Sequence, residues 1–284
     1  MAHTLVVIGP GFTGQAIVRA AEAAGLAVAT VGRGAADAVF GTGAADALIA
    51  GATALVSTVP PDESGDPVLA AHGAATRDSG LRWVGYCSTT GVYGDRAGAW
   101  VDEATPPAPG QPRSARRLAA ETAWRAAVPP TAGLDLIRIA GIYGPGRSAL
   151  DDLRAGRARR IAKPGQLFGR IHVADIAGLV LAAIARPPAP RTVRVLHAAD
   201  DEPAPNADVV AEAARLLGIT PPPAIPFDQA APQMSPMALS FWQESRRIAN
   251  LLTKQATGWR PSCPSYRQGL AAILAQEVGE RPAQ

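Results

Sequence analysis

Thr4-Leu5-Val6-Val7-Ile8-Gly9-Pro10-Gly11-Phe12-Thr13-Gly14 is the stretch on which the reading of the chain turns. A short, uninterrupted apolar run closed by glycine is the pattern of a strand buried on both faces of a parallel sheet. Beyond it the apolar residues change to helical spacing, with Ala16, Ile17, Ala20 and Ala24 on one face and Gly25 at the C-cap position. Between strand and helix the glycines are spaced G-x-G-x-x-G. The first permits the tight turn, the second lets backbone approach a pyrophosphate, and the third lets the helix pack closely on the strand. The helix start offers free N–H groups and the positive end of its dipole. The stretch therefore predicts a dinucleotide site built from Gly9, Gly11, Phe12, Thr13 and Gly14, against the plainer reading of a glycine-rich turn without a ligand.

Working outward, further strands are expected at Leu26–Val31, Ala54–Thr58, Arg82–Cys87, Leu134–Ile139 and Thr192–His197. Helices are expected near Ala44–Ala50, Val68–Asp78, Ser114–Ala127, Val173–Ala185, Ala207–Leu217 and Tyr266–Gln276. Strands alternating with helices imply right-handed crossovers and a parallel sheet. The fold class is α/β: a Rossmann-type, doubly wound parallel sheet with a small C-terminal substrate lobe. Residues 1–140 read as the dinucleotide-binding core, and 141–284 as a mixed region that completes the sheet and forms the lobe. Within it, 141–170 reads as irregular and Arg-rich, and Pro221 to Pro236 as a proline-rich surface excursion.

The end of the second strand chooses the dinucleotide. An NAD site places Asp or Glu there to bind the ribose 2′-hydroxyl. This chain has Val31-Gly32-Arg33-Gly34, and a guanidinium suits a 2′-phosphate. The expected cofactor is NADP(H), with NAD(H) the weaker candidate and a solvated strand-end Arg33 the plain alternative. Thr58 and Pro60, at the end of a neighbouring strand, are secondary cofactor candidates.

Composition narrows the remaining classes. Of 284 residues, 48% are apolar and 18% charged, enough to bury a substantial core. The net charge of +3 is spread without the basic face of a nucleic-acid binder. Cys87 and Cys263 make neither a disulfide framework nor a metal-ligand spacing, so no metal is expected. No apolar run approaches the ~20 residues of a membrane span. The expectation is a cytoplasmic protein with a small-molecule substrate, without nucleic-acid or membrane partners.

Four later segments bear on family. Tyr86-Cys87-Ser88-Thr89-Thr90-Gly91-Val92-Tyr93-Gly94-Asp95 resembles the active-site strand of the extended short-chain dehydrogenase/reductases. Val101-Asp102-Glu103 with Pro106-Pro107, Arg138-Ile139-Ala140-Gly141-Ile142-Tyr143-Gly144-Pro145-Gly146, and Ile171-His172-Val173-Ala174-Asp175-Ile176-Ala177 resemble that family's following blocks, in the same order. The resemblance covers most of residues 4–186 and lies near the nucleotide-sugar epimerase/dehydratase branch. The glycine spacing is that of atypical members. It implies a sheet of about seven strands, hydride transfer at a hydroxyl or carbonyl of a small and sugar-like substrate, and a homodimer. It also places Ser88 and Gly141 among the cofactor-binding residues.

The family's acid/base pair, Tyr-x-x-x-Lys, is missing. Aligning Leu118-Ala119-Ala120-Glu121 with the family's tail puts Arg117 at the Lys position and Arg113 at the Tyr position. Guanidinium stays protonated, so Arg113 is no base. The resemblance makes Thr89 the residue that orients the substrate oxygen and Arg117 the one that holds the ribose. Thr89, Arg117 and Arg113 are thus the catalytic candidates. Tyr93 and Tyr143 are the remaining phenols, each with an ordinary structural place in its segment. The alternative function is a non-catalytic NADP(H)-binding redox sensor or regulatory protein. His172 reads as a capping or core histidine, Cys87 as a small buried hydrophobe, and Trp83, Trp100, Trp124 and Trp259 as packing residues. Phe168 stands where nucleotide-sugar members carry an arginine, with Arg170 as compensation. Arg154, Arg157, Arg159, Arg160 and Lys163 are either an anion-attracting patch or a solvated face.

Overall fold

The computed structural model describes residues 4–279. Strand β1 (Thr4–Ile8) lies in the middle of the sheet, and its side chains alternate between two cores. Leu5 and Val7 face helices α1 (Phe12–Ala23) and a later helix at Val173–Ala185, while Val6 and Ile8 face the opposite layer. That alternation is why the run reads as continuously apolar.

The other strands of the sheet are β2 (Ala27–Gly32), β3 (Ala38–Val39), β4 (Ala54–Ser57), β5 (Trp83–Thr89), β6 (Gly133–Ile139) and β7 (Val193–Ala198). Their order is β7-β6-β5-β4-β1-β2-β3, every pair parallel. Helices α2 (Gly43–Gly51), α3 (Pro67–Arg77) and α4 (Pro112–Ala127) cover the Val6/Ile8 face with Ala45, Ile49, Val68, Ala120 and Trp124. The sheet is doubly wound, as expected. The chain reverses direction of travel between β1 and β4, and the crevice beyond the carboxyl ends of such strands is where ligands bind in this architecture.

After β6 come α5 (Ala149–Arg154), α6 (Val173–Ala185), α7 (Asn206–Leu217), α8 (Phe227–Ala230), α9 (Pro236–Trp242), α10 (Leu251–Thr257) and α11 (Tyr266–Gly279). The expected element boundaries fall within about two or three residues of these. Three expectations need correction. Residues 141–170 contain short paired strands, Gly141–Tyr143 with Arg170–His172 and Ile161–Ala162 with Ile225–Pro226. The Pro221–Pro236 stretch is no surface excursion, because Ile225, Phe227 and Met234 pack round Ile161, Ala230 and Trp242 in a small core of their own. Prolines limit the ladders to two residues, yet the apolar residues between them still bury. Trp100 is also not a packing residue. It is 54% exposed, because the two-residue pairing of Trp100–Val101 with Arg247–Ile248 turns Val101 inward and the indole out. Trp83, Trp124 and Trp259 are buried as read.

Candidate active site

Each glycine of the opening loop is held to its type by a neighbour. Gly9 has φ +89°, and a Cβ there would press on Thr58 Oγ1 and Val59. A Cβ on Gly14 would overlap the Gly9 carbonyl, so α1 could not start so close to β1. Around Gly11 a Cβ would meet nothing within 4 Å, which leaves the outer side of the loop open. Thr58 Oγ1 donates to the Gly9 carbonyl at 2.5 Å and so ties β4 to the loop. Thr58 therefore shapes the loop from behind. Among the described residues no side chain caps α1, and its first N–H groups are left for a ligand. The Phe12 ring turns back into the first core, and Arg147 stands 5.5 Å over it. Thr13 follows it in the first turn of α1, half-buried, and Pro60 is exposed beside Thr58. Arg33 is exposed immediately past β2. The nearby Asp37 turns away, its carboxylate accepting from Thr30 N at 2.7 Å and Thr30 Oγ1 at 2.8 Å. Those Thr30 bonds hold its carboxyl below the ordinary range.

At the end of β5, Thr89 caps a 3-10 turn (Thr90–Tyr93) by accepting from Gly91 N at 3.0 Å. Its hydroxyl proton stays available as a donor. Thr89 lines a cavity of about 410 Å³ together with Arg113, Gly141, Phe241, Glu244 and Arg246. The Arg113 guanidinium lies 3.8 Å from the Phe241 ring centroid. Burial lowers its pKa, against the attraction of Glu244. Arg246 Nη1 donates to Glu244 Oε2 and to the Gly94 carbonyl, each at 2.7 Å. Glu244 Oε1 has no partner among the described residues.

Two candidates face elsewhere. The Ser88 hydroxyl points away from the cavity and donates to Glu121 Oε1 at 2.6 Å, within a buried network. Arg138 Nε and Nη2 donate to Glu121 at 3.0 and 2.8 Å, and its Nη1 reaches the Tyr93 hydroxyl at 2.8 Å. Ser88 thus anchors β5 to α4. Arg117 Nη1 donates to the Cys87 carbonyl at 2.6 Å, with the guanidinium 5.8 Å from the Tyr86 ring. One of its donors is tied to β5, and it is not among the residues that line the cavity.

Neither phenol stands in for the missing tyrosine. Tyr93 is fully buried, and burial pushes its hydroxyl up to about 12. The Tyr143 hydroxyl is wedged against Gly269, and burial raises its pKa further still. Cys87 is buried and its thiol is pushed up to about 12 by that burial, which suits a packing residue. His172 caps α6, with Nδ1 accepting from Ala174 N at 3.3 Å. It shares its surroundings with Asp175 and Cys263, whose donor atoms lie within 4.8 Å of one another and of His172. Asp175 is engaged there by Ser262 N, Ser262 Oγ and Cys263 N, and holds that turn against α6.

Phe168 meets Trp242 edge-on at 4.9 Å in the lobe. Arg170 lies behind it and donates to the Phe168 and Ala204 carbonyls at 2.9 and 2.8 Å. The basic run is largely tied down: Arg154 to Glu277, Arg157 to Asp152, Arg159 to Gln233, and Lys163 to the Trp242 carbonyl. Sequence reasoning missed Phe241, Glu244 and Arg246. The available signal was Phe241-Trp242-Gln243-Glu244-Ser245-Arg246, an aromatic and charged cluster in a chain with only 5% aromatics.

No protein-family profile matches the chain. It is 41% identical to a conserved protein of unknown function from Silicibacter pomeroyi, whose structure superposes with a TM-score of 0.84 over 97% of this chain and 99% of that one. A Streptomyces protein, 3-diazoavenalumate denitrifying reductase, is 31% identical over 185 residues, 63% of this chain and 58% of that protein. The chain thus spans little more than half the length of this curated relative. The human epimerase family protein SDR39U1, solved with NADPH, shares the fold at 20% identity, with a TM-score of 0.76 over 96% of this chain and 99% of that one. The chain has the Rossmann-type fold of these proteins. Its loop after β1 carries all three glycines, and no Tyr-x-x-x-Lys occurs in the chain.

Proposed function

We propose that this chain is an NADP(H)-dependent oxidoreductase, with epimerase-like chemistry open to the same site, acting on a hydroxyl or carbonyl of a small molecule. One observation carries the reading. The uncapped start of α1 behind Gly9, Gly11 and Gly14, and the Thr89–Arg113 cavity, both lie at the carboxyl ends of parallel strands of one sheet. The loop fits a dinucleotide, because the space outside Gly11 is open while Gly9 and Gly14 are closed in by Thr58 and by one another. Gly11, Phe12 and Thr13 would hold the pyrophosphate through backbone N–H groups, and Arg33 the 2′-phosphate. The NADPH found with the human relative and the reductase activity named for the Streptomyces relative support the assignment.

A bound reduced nicotinamide supplies the reducing equivalent. The chain's own residues orient and polarise the substrate. Thr89, whose oxygen already accepts from Gly91, donates its proton to the substrate oxygen. Arg113, in the same cavity, supplies positive charge toward the substrate. Glu244 Oε1, buried and without a partner, is the group placed to exchange a proton in place of the missing phenol.

Titration with NADPH, NADP+, NADH and NAD+, followed by turnover over a panel of carbonyl compounds, tests the reading. Tight NADP(H) binding with turnover that Thr89→Ala reduces is the expected result. Failure to bind any of the four overturns it. A second reading, NADP(H) binding without turnover, is favoured by the burial of both Tyr93 and Tyr143. It predicts binding with no oxidation of NADPH by any of the carbonyl compounds.

A further inference from the structure

Arg113 is placed where a cation is unwelcome. It sits in the first turn of α4, at the positive end of a 16-residue helix, which has no side-chain cap and no acid in that turn. It is half-buried, and burial disfavours its charged form. Among the described residues no carboxylate stands within ion-pair distance of it, and no group accepts a hydrogen bond from it. The Phe241 ring at 3.8 Å covers a face of the guanidinium and leaves the in-plane donors unused, while Glu244 attracts it and Arg246 repels it.

The other guanidiniums lining the cavity are hydrogen-bonded within the protein. Arg246 pairs with Glu244 at 2.7 Å. Arg170 is bound by the carbonyls of Phe168 and Ala204, and it feels the field of Asp200. Arg113 is thus left without a hydrogen-bond or ion-pair partner among the described residues, in a cavity of about 410 Å³ whose wall also includes Glu244, Phe168, Trp242 and Ile248. We infer that the cavity takes a small monocarboxylate, its carboxylate gripped by the edge of Arg113, and its apolar frame laid against Phe168 and Trp242. A planar carboxylate matches the guanidinium edge with two parallel hydrogen bonds. The arginine standing where the family keeps its tyrosine then has a role of its own, that of binding the substrate's charge.

The inference rests on the reading of this cavity as the substrate site, and the test separates the two. The probes are trans-cinnamate, its neutral isostere cinnamamide, and inorganic phosphate, each titrated calorimetrically with and without NADP+. Cinnamate should bind at least about tenfold more tightly than cinnamamide, as for a charge-assisted hydrogen bond. Arg113→Gln should abolish that preference, and Arg113→Lys should restore part of it. Retained NADP+ affinity in Arg113→Gln shows that the variant is folded. Equal binding of acid and amide, no binding of cinnamate, or a preference surviving in Arg113→Gln overturns the inference. So does tighter binding of phosphate that Arg113→Gln loses. Absence of cinnamate discrimination in the unsubstituted protein, with intact NADP+ binding, sinks this inference alone, whereas absent NADP+ binding with discrimination intact sinks the cofactor reading alone.

Discussion

Gly14 lies so close to Gly9 that a single methyl group on the first would occupy the carbonyl oxygen of the second. Helix α1 begins only one turn from the end of β1 because that methyl is absent. Gly14→Ala forces the helix start away from the loop, at a cost of about 1–3 kcal/mol for an overpacked site. Denaturant unfolding should show that loss together with weakened NADPH binding. Unchanged stability and affinity would mean that the loop opens freely, contrary to the geometry.

Arg33 stands exposed just past β2, with Asp37 turned away from it toward Thr30. Arg33→Asp should weaken NADPH about ten- to hundredfold, the worth of a lost charge-assisted contact plus repulsion, and leave NADH no weaker. Parallel titrations with the two cofactors measure this. Equal losses for both would show that Arg33 does not read the 2′-phosphate.

The Glu121–Arg138 pair is 1% and 3% exposed at its side chains and ties α4 to β6 beneath the active-site strand. Removing one partner leaves the other charged and buried, so Glu121→Ala should cost about 3–5 kcal/mol. Ser88→Ala deletes only one hydrogen bond to the same carboxylate and should cost about 0.5–1.5 kcal/mol. Chemical denaturation of the two variants gives the comparison. A Ser88 variant as damaged as the Glu121 variant would contradict the ranking.

Asp200 is buried, and its carboxyl is pushed up to about 8, mainly by that burial. The folded state therefore holds a proton that the unfolded chain has released above its ordinary carboxylate range. Stability from this group is present at low pH and declines as pH rises toward 8, by at most about 1.4 kcal/mol per unit. Asp200→Asn keeps the shape and removes the titration. Its unfolding free energy should fall less between pH 5 and pH 8, measured at about those two values, than that of the parent chain. Parallel pH profiles would refute the assignment.

The unit of β1, its glycine loop and α1 was legible because its information is local. The apolar run, the three glycines and the amphipathic α1 are neighbours in sequence, and each favours the same structure on its own. The wall of the cavity is different. Gln166 Nε2 donates to the Glu244 carbonyl, 78 positions away, and Asp95 accepts from Ser245 N, 150 positions away. Two-residue strands and a seven-residue helix carry no periodicity that a window can detect, so Phe241, Glu244 and Arg246 acquire meaning only once distant loops meet. The Ser88 placement was lost for a related reason. Successive strand residues face opposite ways, so Thr89 toward the cavity puts Ser88 toward α4.

Strand β7 pairs with β6 along its whole length, and α6 covers the same face as α1, although both follow the first part of the lobe in sequence. The two functional halves are therefore laced together by the path of the chain. A fragment ending near residue 140 would expose the full edge of β6 and strip the apolar face shared by α1 and α6. Such an unpaired edge invites association with other chains. Swapping lobes between relatives at that boundary would produce sticky, incomplete sheets, so new substrate walls must be grafted as insertions within 141–192 and 199–279, around strand β7.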